Sequence, residues 1–302
     1  MLDVVIIGSG PAGLSAAVYS KRANLNVLVV EKVYFGTGQI VESHQVDNYL
    51  GLPGINGYEL GEKFREHALK LGVEFKDGEA EHFEIYEGGW KVHLQSGEIL
   101  ETRTVIYAAG AIHRHLGIAG EQEYAGKGVS YCATCDGAFF RGRRTAVIGG
   151  GDTALDDALF LSDICSKVYL VHRRTEFRGS ASTVEMLRAK ENVEFVLEEK
   201  PSSIMGTDMV EKLLLEDGRN LDVDGIFIAV GMVPMTTSVK DVVELDQNGY
   251  IVADETGKTS ADGFFVAGDV RTKGLRQVVT AVSDGANAAI SAEHYIRQRK
   301  IQ

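Results

Sequence analysis

Long apolar runs are missing from this sequence. The first, Val4 to Ile7, begins almost at Met1 and is far too short for a signal segment or a membrane span, which takes about 20 apolar residues. No stretch elsewhere approaches that length, so neither targeting nor membrane insertion is expected, and a cytoplasmic chain is the default. An excess of positive charge is missing too. The net charge is −12, which argues against nucleic acid or an anionic membrane as a partner held by charge. Cysteine is scarce, with 3 in 302 residues. That excludes a framework of structural disulfides, and a Cys-x-x-Cys in such a chain reads as redox or metal chemistry. Proline is low at 4 while glycine is high at 35, which points to many tight turns and close backbone approaches to ligands. The remaining composition, 44% hydrophobic and 25% charged, is ordinary for a soluble globular protein. The length allows two domains, each with its own core.

One pattern occurs twice. Val4-Val5-Ile6-Ile7 reads as a buried strand, followed by Gly8-Ser9-Gly10-Pro11-Ala12-Gly13, a helical run from Leu14 to Arg22, and a second strand from Val27 to Val30 that ends in Glu31. In this arrangement Gly8 makes the tight turn, Gly10 lets the backbone approach a pyrophosphate, and Gly13 lets the helix pack close to the strand. The helix N-terminus then faces the phosphates, and the acid accepts from a ribose hydroxyl. The second copy runs Thr145-Ala146-Val147-Ile148, then Gly149-Gly150-Gly151-Asp152-Thr153-Ala154, a helix from Leu155 to Leu161, and a strand from Val168 to Val171. Glu31 lies 23 residues after Gly8, and His172 lies 23 residues after Gly149. The acid is thus replaced by His172-Arg173-Arg174, with Arg178 following. An acid repels a 2′-phosphate, whereas arginines bind it as a fork. The first unit therefore suits an adenosine with a free ribose, as in FAD, and the second suits NADP. The plainer reading of the basic run is a solvated face; its register with Glu31 favours the cofactor.

Two apolar strands, at Thr104–Ala111 and Gly225–Gly231, each end in a glycine turn and close one unit. A third, Gly263 to Asp269, lies near the C-terminus. The expected fold is α/β, with two doubly wound Rossmann-like domains. The FAD domain is discontinuous, 1–114 and 243–302, and the NADPH domain, 115–242, is inserted into it.

Cys132-Ala133-Thr134-Cys135 lies just ahead of the second glycine turn. A turn or helix start would let the pair close a small disulfide ring, and a helix N-terminus would lower one thiol's pKa. Zinc would need a second ligand pair. Cys165 stands alone and His44, His67, His113, His115 and His294 show no metal spacing, so no metal site is expected. Asp136 is placed to supply a proton to a leaving thiolate, or simply to cap the helix. With the two nucleotide fingerprints the cysteine pair forms an electron route from nicotinamide to flavin to disulfide to a partner.

The run Cys132-Ala133-Thr134-Cys135-Asp136-Gly137 resembles the active-site signature of low-molecular-weight thioredoxin reductases, in the pyridine nucleotide-disulfide oxidoreductase superfamily. The likeness extends over almost the whole chain: both glycine turns, Gly38-Gln39, Asn48, His172-Arg173-Arg174 with Arg178, Gly268-Asp269 and Arg276-Gln277. It implies that Gly38, Gln39 and Asn48 contact FAD, that Asp269 bonds the flavin side of the cofactor, and that Arg276, Gln277 and Val278 sit at the isoalloxazine. It also implies that Cys135 faces the flavin, that Cys132 exchanges with the partner's disulfide, and that Asp136 is the proton donor. A homodimer is implied, as is rotation of the NADPH domain about linkers near 113–118 and 239–246, eased by Gly117 and Gly120. The sequence departs from the family at Gly36-Thr37-Gly38-Gln39, where two adjacent glycines before the glutamine are usual, and at Ala108-Ala109-Gly110, where a threonine usually precedes the glycine. Phe139 and Phe140 are candidates for core packing or for an apolar anchor. Arg141, Arg143 and Arg144 could rim a contact with an acidic thioredoxin-like protein. A different disulfide partner, a small-molecule dithiol, ferredoxin as donor, or a flavin-bound redox sensor remain alternatives.

Overall fold

The computed structural model describes residues 1–32, 38–43 and 45–299, leaving the side chain of Glu42 aside. Gly36 and Thr37 of the departing loop, and His44, lie outside the described residues.

The chain opens with β1 (Leu2–Ile7), α1 (Pro11–Arg22), β2 (Val27–Glu31), α2 (Gly57–Lys70), β3 (Glu74–Asp77), β4 (Ala80–Tyr86), β5 (Gly89–Leu94), β6 (Ile99–Tyr107) and β7 (Ala111–His113). It continues with β8 (Val129–Ser130), α3 (Ala133–Asp136), β9 (Arg144–Ile148), α4 (Asp152–Ser162), β10 (Lys167–His172), α5 (Ala181–Arg188), β11 (Val193–Leu197), β12 (Pro201–Gly206), β13 (Val210–Leu215), β14 (Asn220–Asp222), β15 (Gly225–Ile228) and β16 (Met232–Pro234). It ends with β17 (Phe264–Val266) and α6 (Val278–Arg299). The chain forms two compact units, Met1–Ile112 with Val233–Gln302, and His113–Met232. No helix among the described residues is long and apolar enough to cross a membrane.

In the first unit the strand order is β3-β2-β1-β6-β5-β4, with β17 also on β6. The nine-residue β6 serves three partners. Its first half pairs antiparallel with β5, its second half pairs parallel with β17, and β1 runs parallel along the other edge. Successive residues of a strand face opposite sides, and the cores divide accordingly. Val4, Ile6, Val29 and Ile106 pack with α1 and α6, while Val5, Ile7, Val105 and Tyr107 pack with Phe83 and Trp90 of β4 and β5.

The second unit repeats the plan. Five parallel strands run β11-β10-β9-β15-β8, and an antiparallel sheet runs β12-β13-β14. Val147, Leu170 and Phe227 pack toward Leu155, Ala158 and Leu161 of α4. Their neighbours Ala146, Ile148, Val171, Ile226 and Ile228 pack toward Ile204, Leu213 and Leu215 of the small sheet.

The crossings between the units differ from the expected boundaries of 114/115 and 242/243. They fall at 112/113 and 232/233, where β7 and β16 pair as a short ribbon. The return crossing moves because Val239 and Val243 are buried with Val5, Ile7 and Val266 in the first unit's core, which apolar burial holds in place. The segment expected as the first linker is also tied down. The Gly117 N–H donates to Glu121 at 2.7 Å. At Gly120 a side chain would meet the Ile204 carbonyl.

Candidate active site

The cysteines of the Cys-x-x-Cys form a disulfide, with Cα atoms 5.3 Å apart. Cys132 is the N-cap of the single-turn α3. Its carbonyl accepts from the Cys135 N–H at 3.2 Å and from the Asp136 N–H at 3.1 Å, so this turn sets the approach of the two sulfurs. Both cysteines are half-buried and Thr134 between them is exposed, with its Oγ1 3.4 Å from the Cys132 Sγ. The Ser130 hydroxyl donates to the Asp136 carboxylate at 2.6 Å and accepts from the Cys132 N–H at 3.1 Å. Asp136 is thereby held by the same serine that holds the first cysteine. Phe140 is buried edge-on against Phe227, while Phe139 is 46% exposed. The two aromatics divide between core and surface. Arg144 begins β9 and, though exposed, is paired with Asp224; Arg141 and Arg143 are exposed in the same stretch.

The second glycine turn follows the motif in the chain, between β9 and α4. Gly149 abuts the Ala229 carbonyl, and a side chain there would also sit 2.6 Å from the Ala154 methyl. Gly151 is the N-cap of α4 and Asp152 its first residue. The Asp152 carboxylate accepts from the Ser180 N–H at 2.7 Å, and the Arg178 N–H donates to the Gly150 carbonyl at 2.8 Å. The basic segment is thus sewn to the turn, and Arg173, Arg174 and Arg178 are exposed beside it, with Thr153 exposed on α4. Among the described residues none of these three arginines forms an ion pair. His172 behaves differently from its neighbours. It is 7% exposed, stacks on Phe177, and occupies the space a side chain on Gly150 would need. Burial pushes its pKa down, and the nearby arginines add to this against the Glu176 carbonyl. A neutral, buried ring supports the turn from below and brings no charge to a phosphate.

The first glycine turn has the same build. Gly8 takes φ +104°, and a side chain there would strike the Ala108 carbonyl, as one on Gly149 would strike Ala229. One on Gly13 would strike the Gly8 carbonyl. Gly10 caps α1, Pro11 occupies its first position and Ala12 is buried. Proline suits that position because its missing N–H would have no helical partner. Gly38 takes φ +78° and brings its backbone against Gly10, and the Gln39 amide donates to the Ala111 carbonyl. Asn48 donates to Gln277 at 2.9 Å across 229 residues of sequence, and Val278, at the start of α6, packs with Ile40 and Leu60. Gly38, Gln39, Asn48, Gln277 and Val278 are therefore gathered in one unit with the turn.

A family model, "Pyridine nucleotide-disulphide oxidoreductase", matches residues 2–285. The chain is 39% identical over 304 residues to a thioredoxin reductase of Bacillus subtilis, covering 98% of this chain and 95% of that one. It is 40% identical over 305 residues to a thioredoxin reductase of Listeria innocua, covering 99% and 95%. A crystal structure of thioredoxin reductase from Streptococcus pyogenes superposes with a TM-score of 0.93 at 40% identity, covering 99% of both chains. The chain belongs to the thioredoxin reductase family. Membership makes it an oxidoreductase and implies a flavin and a nicotinamide cofactor.

Thioredoxin reductase motifs account for the glycines, the cysteines and the arginines, but not for the side chains that support them. Glu31, the expected ribose acceptor, is 2% exposed and forked by Arg65 of α2, with both N–O distances 2.7 Å. The Arg65 guanidinium also lies 4.0 Å over the Phe75 ring. A lone arginine in an amphipathic helix carries no sequence signal for this. Asp284 of α6 accepts from the Gly268 N–H at 3.0 Å, from Arg271 at 3.0 and 2.8 Å, and from Lys273 at 2.8 Å. Burial pushes the Asp284 carboxyl up, but these cations bring it below its usual range. Arg276 turns its guanidinium onto the Tyr250 ring at 4.2 Å and toward the carbonyls of Asp269, Arg271 and Lys273. It thus braces the loop that carries Asp269. The Asp269 Oδ1 is buried with no hydrogen-bond partner among the described residues; the Lys273 ammonium stands 3.9 Å away. Burial raises the Asp269 pKa against the pull of Lys273 and Arg276. A buried acceptor left over beside a bare glycine turn is what a cofactor hydroxyl or N–H would satisfy, so these residues fit a flavin nucleotide.

Proposed function

We propose that the protein transfers electrons from NADPH, through FAD and the Cys132–Cys135 disulfide, to the disulfide of a thioredoxin-like protein. The observation that carries this reading is a closed Cys-x-x-Cys disulfide in the same unit as a glycine turn flanked by unpaired arginines. FAD supplies the two-electron relay that nicotinamide and thiols need between them.

The unit 1–112 with 233–302 would hold FAD. The amides of the Gly8–Gly13 turn would face its pyrophosphate, Glu31, held by Arg65, would accept from the ribose with its remaining lone pairs, Asp269 would offer its buried oxygen, and Gly38, Gln39, Asn48 and Gln277 would serve the flavin end. The unit 113–232 would hold NADPH at Gly149, Gly151 and Thr153, with Arg173, Arg174 and Arg178 on the 2′-phosphate. In the dithiol form, Cys132 attacks the partner's disulfide as the thiolate. A mixed disulfide forms and the partner's first sulfur leaves. Cys135 then attacks Cys132, which restores the internal disulfide and releases the partner as a dithiol. Asp136, held by Ser130, supplies or takes the proton these steps require. Phe139 would anchor the partner, with Arg141 and Arg143 attracting an acidic surface. A homodimer in the cytoplasm is the working assembly, with the units pivoting at the β7–β16 crossing.

Anaerobic mixing with NADPH, and separately with NADH, tests the route. Rapid bleaching of the flavin by NADPH alone, reversed by oxidised thioredoxin in the parent and not in Cys135→Ser, is the expected result. Absent bleaching with NADPH would remove the second nucleotide site from the proposal. Bleaching that thioredoxin fails to reverse would remove the partner.

A further inference from the structure

One buried carboxylate in the second unit gathers three donors and a histidine ring nitrogen. Glu121 is 2% exposed. It accepts from the Gly117 N–H at 2.7 Å, from the Leu116 N–H at 3.0 Å and from the Tyr131 hydroxyl at 2.8 Å. The His115 Nδ1 lies 3.2 Å from the same carboxylate and 2.9 Å from the Tyr131 oxygen. His113 stacks on the Tyr131 ring and His115 meets it edge-on. Burial pushes the Glu121 pKa up, but the Leu116 amide, the Tyr131 hydroxyl and the Gly117 amide outweigh it and hold the carboxyl below its usual range.

The cluster reaches the redox motif through one residue. Tyr131 directly precedes Cys132. On the other side of Tyr131 stands Ser130, which is bonded to Asp136 and to the Cys132 N–H. Cys132 is therefore held from two directions: Ser130 and Asp136 on the side of α3, and Tyr131 on Glu121 toward residues 113–117. A disulfide closes only when its Cα atoms lie within a narrow range, and here they stand 5.3 Å apart. A contact that restrains Cys132 at this separation favours the disulfide over the dithiol, because the restrained open pair has less freedom left to lose on closing.

We propose that Glu121 is a positioning residue for Cys132: through Tyr131 it holds the first cysteine where the disulfide closes, and so sets how readily the pair is reduced. This rests on the reading of Cys132 and Cys135 as the redox pair. Reduction by a dithiol such as dithiothreitol breaks the S–S bond. The reductant gives up two electrons and two protons, leaving two thiols on the protein and a cyclic disulfide on the reductant. Releasing Tyr131 from Glu121 moves this equilibrium toward the protein dithiol.

The test equilibrates the full-length holoenzyme with mixtures of reduced and oxidised dithiothreitol, traps free thiols by alkylation, and counts them by mass. Tyr131→Phe keeps the ring and both amide bonds to Glu121, so the protein folds; a three- to tenfold shift toward dithiol is expected. Glu121→Gln is expected to shift it at least as far, with a lower melting temperature because the linker amides also lose their carboxylate. The double variant should shift it no further than the larger single one, since both act on the shared Tyr131–Glu121 bond. A folded Tyr131→Phe protein with the parental equilibrium would overturn the proposal, and additive shifts would overturn the shared route. Loss of melting temperature alone would reduce Glu121 to a structural role. Failure of the redox-pair reading shows separately, as a parent disulfide that NADPH does not reduce in the holoenzyme.

Discussion

At the residue scale, burial decides what a charged side chain can do. Asp157 on α4 is 9% exposed, and burial, with Asp156 beside it, raises its pKa to about 7. The folded protein keeps this proton while the unfolded chain loses it near the ordinary carboxylate pKa. Stability therefore falls as pH rises from about 4 to about 7 and stays level above, by an amount on the order of 2–4 kcal/mol. Asp157→Asn should melt higher than the parent at pH 8 and nearly the same at pH 4, in thermal scans across that range. Equal gains at both pH values would show that Asp157 is ionised in the fold. The exposed arginines give the opposite case. Arg173→Ala and Arg174→Ala should each raise the KM for NADPH about tenfold, as loss of a charge-assisted contact does, and leave the slow reaction with NADH unchanged. The arginines could be found in the sequence because they directly follow His172, which stands in register with Glu31. Arg65, Glu121 and Asp284 could not. Each is one charged residue in an unremarkable stretch, and its role exists only once its partner, often far along the chain, is brought to it.

At the element scale, the glycine turns work because neighbouring elements come very close. Periodicity and glycine spacing predict β1, α1, β2 and their copies β9, α4 and β10, since a strand ending in a turn must hand its chain to a helix packed on it. The partner of α1 was not legible in this way. It is α6, which packs so closely that a side chain on Gly285 would strike the Ala12 carbonyl, and the Ser15 hydroxyl donates to the Val282 carbonyl at 2.7 Å. Gly285→Val should push α6 off α1, lower stability by about 1–3 kcal/mol, and loosen the Gly10–Gly13 turn. The expected readouts are a lower melting temperature and release of flavin fluorescence on dilution; unchanged FAD retention would separate α6 from the cofactor site. His172 shows the limit of reading by register. It closes β10 as Glu31 closes β2, and both are buried, yet its ring stacks on Phe177 beneath Gly150, so the exposed positions go to the arginines that follow it.

At the scale of the whole chain, two units of like design share one polypeptide, and the question is which ligand each protects. Hydrogen exchange on the holoenzyme should show NADP slowing exchange at Gly149–Ala154 and 173–178 and leaving Gly8–Gly13 unchanged. Removal of FAD should speed exchange in 1–112 and 233–302 foremost, since a ligand stabilises the state that binds it, by about 2.7 kcal/mol at a hundredfold excess over its Kd. Protection of the first turn by NADP would reverse the assignment. The crossings matter at this scale too. With Gly117 and Gly120 committed to the second unit and Val239 and Val243 to the first, the proposed pivot would have to act at the short β7–β16 ribbon. A disulfide or chemical cross-link between the units should then stop turnover while sparing one half-reaction.

The amino-acid sequence alone determined the two glycine turns, the acid in one unit and the arginines in the other, the cysteine pair and the α/β class. These follow from local chemistry, in which a turn, a helix start and a charge lie within a few residues of one another. Only the tertiary structure decided that Glu31 is forked by Arg65, that His172 is buried, that Asp284 binds the loop of Asp269, that residues 239–243 belong to the first core, and that Glu121 joins residues 115–117 to Tyr131. Most of these depend on contacts between segments apart in the chain, which form only when burial of apolar surface outweighs the entropy of bringing those segments together.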